Sequence, residues 1–137
     1  MTCDACLGRW PDPGDRIADL GATVAYLHVD QFFPGWTVLV LQHHATELFQ
    51  LSREARSALI EELSRAAAAL HAAFEPIKVN YACLGNVLPH LHWHLIPRLE
   101  GDPAPREAVW AVPHAAVRLD GPARAERIAR IRGHLSG

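Results

Sequence analysis

The sequence predicts an α+β domain built on an antiparallel sheet. Three observations carry that expectation: strand-length apolar runs broken by turn residues, one long amphipathic helix among them, and a second helix at the C-terminal end. The 137 residues are 50% hydrophobic and 20% charged. That composition suits a single domain over 1–137 with a sizeable core, not a disordered chain.

Residues 1–16 are polar and broken by Pro11, Pro13 and Gly14, so they form an N-terminal segment without a long element. Residues 22–29 (ATVAYLHV) are β-rich and partly alternating, and residues 37–41 (TVLVL) form a short apolar run. Pro34-Gly35 between them marks a turn and suggests antiparallel neighbours. Residues 52–74 are the clearest helix. Ser52 is its N-cap, Glu54 lies in its first turn, and Ala55, Leu59, Leu63, Ala66, Leu70 and Phe74 recur at intervals of three or four. Glu75-Pro76 ends it. Residues 77–84 (IKVNYACL) and 91–96 read as strands, with a loop opening at Gly85-Asn86. Residues 100–137 form a C-terminal extension. Its first part is proline-rich, with short apolar pieces at 108–112 and 115–119. Pro122 then fits the first position of a helix that puts Ile128, Ile131 and Leu135 on one side.

The formal net charge is −2, and the arginines alternate with acids and alanines. That argues against a duplex nucleic-acid surface and leaves room for a small phosphate site. The opening MTCDACLGRWPDPGD holds no apolar leader core, and no run approaches the roughly 20 apolar residues a membrane span needs. The expectation is a cytoplasmic protein without a membrane partner. Three cysteines cannot all pair within one chain. Cys3-x-x-Cys6 suggests metal binding or redox chemistry, with a free pair as the plain alternative. Cys83, in an apolar run, reads as a small buried residue.

The stretch 89–98, PHLHWHLIPR, concentrates three of the nine histidines. On a strand, His90, His92 and His94 share one face at spacings of about 6–7 Å, while Leu91, Trp93 and Leu95 take the other. A solvated face with chance histidines is one reading. A metal held by all three is another, but the first and third lie about 13 Å apart along a strand and reach one ion only across a bend. Nucleophilic or proton-transfer chemistry fits better, because neutral imidazole attacks phosphorus near neutral pH when its second nitrogen is held.

PHLHWHLIPR, with GNVLPH (85–90) before it and TVLVLQHHATEL (37–48) further upstream, resembles the histidine triad family. The resemblance covers about residues 3–98 and leans toward a bacterial branch of nucleotide hydrolases. It implies a sheet of about five strands with one long helix and a C-terminal helix. It also implies binding of a nucleotide and attack on the α-phosphate of nucleoside phosphoramidates or dinucleoside polyphosphates. By motif position His92 is the nucleophile, forming a nucleotidyl-histidine intermediate that water resolves to a nucleoside monophosphate. His94 and His90 orient it and balance charge, and Asn86 touches the phosphate. His28 falls near the family's ribose-binding acid, with Asp30 two residues on as a substitute. Trp36, Arg98 and Trp110 complete the expected substrate-binding set, with a surface ion pair as the alternative for Arg98.

Zinc-bearing members of the family imply a structural Zn²⁺ on Cys3, Cys6, His44 and His90, with His43 as a competing ligand. The family also implies a homodimer with the long helix and a sheet edge near the interface. The chain departs from the family's hydrolases at three positions. Val87 stands where many carry a hydroxyl, Trp36 where histidine is common, and His28 where the acid is expected. These departures motivate two alternatives, a nucleotide- or partner-binding module with little turnover and a nucleotidyl transferase. His94, where the uridylyltransferase branch carries glutamine, favours water as acceptor. Phe32, Phe33 and Trp36 either line a base pocket or pack a turn, His71 in the long helix reads as a surface or interface residue, and His114 and His134 lie outside any constellation.

Overall fold

Local signals start and stop the elements of this computed structural model, which describes residues 2–135. Ser52 Oγ accepts from the Ala55 N–H at 3.1 Å and opens α1, Arg53–Phe74. Glu75 closes it in a left-handed conformation (φ 49°) ahead of Pro76. The strands are β1 (Arg16–Asp19), β2 (Thr23–Leu27), β3 (Thr37–Leu41), β4 (Lys78–Ala82) and β5 (His92–Arg98), and the C-terminal helix is α2 (Gly121–Leu135). They form one antiparallel sheet in the order β1-β2-β3-β5-β4. The α+β expectation holds. β1 was not expected, since Arg-Ile-Ala-Asp has one strongly apolar residue, and a polar tetrapeptide becomes a strand only once β2 offers a partner. The apolar pieces expected at 108–112 and 115–119 form a short helical turn, Val109–Ala111, and a segment without regular structure. The expected N-terminal and C-terminal segments end in Met1 and in Ser136 and Gly137, which lie outside the described residues.

The period of two along β5 divides the molecule. Leu39 of β3 and Trp93 and Leu95 of β5 face one way and join the main core with Leu59, Leu63 and Leu70 of α1 and Ile128 and Ile131 of α2. Burial of such side chains contributes about 1.5–3 kcal/mol each. Both helices therefore lie on one face. Glu62 of α1 is buried, and its carboxylate accepts from the Ala22 and Thr23 N–H groups and the Thr23 hydroxyl, each at 2.8 Å, fixing the start of β2 to the helix.

The other face of the sheet carries Val38 opposite His94 and Val40 opposite His92. This is not the open polar face of a two-layer domain, because every residue of β5 is buried. The N-terminal segment and residues 109–117 cover it. A second small core of Phe33, Trp36, Ile96 and Val109 forms there. Gly35 makes the turn below it possible. It adopts φ 91°, and a Cβ at that position would stand 2.7 Å from the Phe74 ring and 3.0 Å from Pro97.

Candidate active site and metal centre

His92 opens β5, and its Nδ1 lies 2.7 Å from the His90 carbonyl oxygen. A carbonyl only accepts, so Nδ1 carries the proton and Nε2 keeps its lone pair. His94 has the opposite tautomer. Its Nδ1 accepts from the Trp36 indole Nε1–H at 3.0 Å, which leaves its proton on Nε2. The two rings sit edge to face, with centroids 5.2 Å apart. The register thus presents a nitrogen lone pair and an N–H donor side by side. Burial pushes the His94 pKa down to about 3, with His92 and His28 adding repulsion, so this imidazole stays neutral at physiological pH.

His28 stacks on Trp36 with centroids 3.8 Å apart, and burial holds its pKa below the ordinary value despite nearby acids. Trp110 packs edge-on against both His94 (4.9 Å) and Trp36 (5.7 Å). Two cavities are lined by residues that pack on the His92 and His94 rings. One, about 280 Å³, is bounded by Trp10, Tyr26, His28, Val29, Val38 and Arg118. The other, about 340 Å³, is bounded by Lys78, Asn80, Tyr81, Ile96, Val109 and Trp110. Asn86 and Val87 lie exposed in the loop before His90, with Val87 90% accessible.

His90 precedes the strand and turns elsewhere. Its Nε2 donates to the Leu41 carbonyl at 2.7 Å, so its Nδ1 lone pair points into a cluster with Cys3 Sγ (3.3 Å), Cys6 Sγ (3.6 Å) and His44 Nδ1 (3.2 Å). Cys6 Sγ also lies 3.5 Å from His44 Nδ1, and all four ligand atoms fall within 4.8 Å of one another. Around a tetrahedral zinc with bonds of about 2.0–2.3 Å, neighbouring ligand atoms stand roughly 3.3–3.7 Å apart. The donor set and the spacing fit such an ion, and the Leu41 carbonyl is the outer partner that fixes a ligating imidazole. His44 joins the cluster, whereas His43 is exposed outside it.

Several expectations are corrected. Arg98 is 2% exposed, and all five of its N–H donors are taken by Asp102, Asn80 and the carbonyls of Ala104 and Glu107, so it is a tie for residues 99–107 and does not reach a phosphate. Asp30 is also engaged. Its carboxylate accepts from the Phe32 and Val117 N–H groups and pairs with His114 at 2.7 Å. Burial opposes ionisation of Asp30, but those bonds outweigh it and hold its pKa below the usual value. The same pair lifts the His114 pKa, so His114 has a partner after all. Trp36 is buried, and its indole N–H is spent on His94. Cys83 is exposed at the end of β4. His71 and His134 are exposed, as their lack of company suggested.

The sequence reading missed Trp10 and Gln31. The Gln31 side chain is buried, donates to the His28 and Trp36 carbonyls, and accepts from the Gly35 N–H. A glutamine just ahead of a Pro-Gly turn was the available signal. Trp10 left none beyond its size.

The HIT domain family model matches residues 12–101. The chain belongs to the histidine triad family. A histidine triad protein from Sinorhizobium meliloti is 32% identical, with 97% of this chain and 96% of that one covered and a TM-score of 0.82. A histidine triad protein from Bradyrhizobium japonicum is 31% identical over 89% and 92% of the two chains, with a TM-score of 0.81. A zinc-bound histidine triad protein from Mycobacterium smegmatis shares the fold at 23% identity, 98% and 94% coverage and a TM-score of 0.72. None of the curated proteins matches the chain. The triad and β5 lie inside the matched domain, while Cys3 and Cys6 precede it.

Proposed function

We propose that the chain is a nucleotide phosphohydrolase of the histidine triad type. The observation that carries this is the 2.7 Å bond from His92 Nδ1 to the His90 carbonyl, which holds the tautomer whose lone pair is on Nε2. Nε2 attacks the α-phosphorus. A P–N bond forms as the bond to the leaving group breaks, and the leaving group departs with a proton from solvent. The imidazole becomes cationic on phosphorylation, and the His90 carbonyl stabilises the positive Nδ1–H. His94 donates Nε2–H toward a phosphoryl oxygen. Asn86 and the 86–89 backbone supply further donors. Water then attacks phosphorus and gives its proton to solvent, the P–N bond breaks with its electron pair returning to Nε2, and nucleoside monophosphate leaves with His92 neutral again.

The two cavities give the substrate room for a nucleoside at His28 and Trp10 and a leaving group beside Ala82, which pairs with His94, and Trp110. Incubation with adenosine 5′-phosphoramidate or a dinucleoside polyphosphate is expected to release AMP, and acid quenching to trap adenylylated protein. Full turnover in His92→Ala would overturn the covalent mechanism.

Val87 favours a second reading, a nucleotide-binding module, because a 90% exposed valine supplies no hydroxyl to a leaving group. That reading predicts AMP binding with neither release nor trapped intermediate.

Zinc is the ion the Cys₂His₂ set suits, in a structural role. Elemental analysis should find one per chain and none in Cys6→Ser. Two reduced thiols suit a cytoplasmic location, and among the described residues no helix is long and apolar enough to cross a membrane. Exposed Ile77, Tyr81 and Leu84 along the β4 edge, with Ile60 exposed on α1, suit a homodimer. Sedimentation should give twice the chain mass, and Tyr81→Lys should reduce it.

A further inference from the structure

Trp10 touches His92, with ring centroids 4.9 Å apart at 70°. It also walls the cavity that holds His28. Nothing in the triad motif accounts for this contact, since Trp10 lies 82 residues before His92 in a polar segment. What places it is a tight turn. The Cys3 carbonyl accepts from the Leu7 N–H at 3.0 Å, and the Asp4 carbonyl accepts from the N–H groups of Arg9 (2.9 Å) and Trp10 (3.3 Å). Gly8 permits the turn through φ 70°. Cys3 and Cys6 are therefore built into the same few residues that carry Trp10. Their thiols meet His44 and His90, two residues from His92, on the other side of the turn.

We propose that Trp10 is a positioning residue for His92, held against the imidazole by the turn whose cysteines complete the metal centre. The cluster then reaches His92 by two routes. One runs through His90, whose ring is a ligand and whose carbonyl holds Nδ1–H. The other runs through the 3–10 turn, whose far end packs on the ring and closes one cavity. With the four ligands unbridged, the two thiols have no cation to hold them at the imidazoles, and the turn, whose residues 6–9 are exposed, loses its anchor. Trp10 then leaves His92, and the cavity loses a wall. The metal centre would in this way set the shape of the nucleoside cavity as well as stabilise the fold. This rests on His92 being the reacting residue.

The test uses full-length protein carrying 5-fluorotryptophan, with the Trp10 ¹⁹F signal assigned from Trp10→Phe. Removing zinc with a chelator is expected to move and broaden the Trp10 signal and to erase the ring-current shift on the His92 C–H protons. The Trp93 signal, which reports the sheet, and the Trp36 and Trp110 signals, which report the segments packed on it, should hold. A Trp10 signal unchanged by zinc removal overturns the proposal. If the apo protein loses all four signals together, Gly8→Val decides, because it keeps every ligand and His92 but disfavours the turn. One zinc per chain with a displaced Trp10 signal supports the coupling, and a wild-type signal overturns it.

AMP binding supplies the second readout. Trp10→Ala should weaken it about tenfold at unchanged zinc content, an effect of the size an aromatic contact supports, and Trp10→Phe should restore most of it. Equal AMP affinity in wild type and Trp10→Ala overturns the cavity-wall role. If wild type binds no AMP at all, the nucleotide reading fails, while the ¹⁹F result still decides the link between the turn and His92.

Discussion

Trp36 and His94 are joined by a 3.0 Å bond in which the indole Nε1–H donates to the imidazole Nδ1. The two residues lie on adjoining parts of the face that carries the triad, and both are buried. Trp36→Phe keeps the stacking on His28 but leaves the His94 Nδ1 without a donor. A buried acceptor left unpaired costs about 1–3 kcal/mol. The expected result is a lower melting temperature. AMP release should also slow, because His94 can then turn its proton away from the phosphoryl oxygen. Wild-type turnover and stability in Trp36→Phe would show that the indole does not orient His94.

The pH responses of His94 and His114 should run in opposite directions. Burial depresses His94 to about 3 from 6.5, so its contribution to stability is complete above pH 6.5 and is lost as pH falls toward 3. His114 is raised by its bond to Asp30, so the stability it contributes is complete below pH 6.5 and is lost as pH rises through its elevated pKa. Imidazole NMR between pH 5 and 9 should show no titration of His94 and a late titration of His114. In Asp30→Asn, the His114 midpoint should move down. A His94 that titrates near 6.5 would mean that the face is wetter than its burial implies.

The tautomer of His92 is a separate expectation. Long-range ¹H–¹⁵N spectra at pH 8 should place its proton on Nδ1, since the His90 carbonyl accepts there. His94 should show the proton on Nε2. The two histidines are two residues apart, with the same chemistry and opposite tautomers, so the spectrum distinguishes nucleophile from donor without any substrate. Matching tautomers would remove the division of roles between them.

The sequence revealed most where function and fold share a local period. The alternation of β5 showed which side chains face α1 and which face the site, and the three-four spacing of α1 showed its buried stripe. The Cys-x-x-Cys pair with His44 and His90 was legible only through family resemblance, because the four ligands come from separate segments. Long-range polar pairs were not legible at all. Asp30 and His114 are 84 residues apart, and neither carries a local mark of the other. Arg98 was legible only in part for a related reason, since the ion pair it makes is buried and not on the surface. A cation next to a catalytic motif looks like a phosphate ligand, and two of its partners are backbone carbonyls, which any sequence can supply.

Arg98 therefore gives the sharpest test of structure against motif. Its Nε donates to the Asp102 carboxylate at 2.6 Å, and both side chains are 2% exposed. The guanidinium holds the Asp102 carboxyl below the usual carboxylate range. Removing one partner of a buried pair typically costs about 3–5 kcal/mol, because the other charge is left uncompensated. Arg98→Ala is thus expected to unfold at markedly lower temperature and to expose residues 99–107 to protease. Arg98→Lys should rescue little, since an ammonium offers three donors in a different geometry where five are used. A phosphate ligand behaves otherwise. Arg98→Lys would then fold normally, with AMP binding weakened and more sensitive to salt. Normal stability together with a selective loss of AMP affinity would return Arg98 to the binding site.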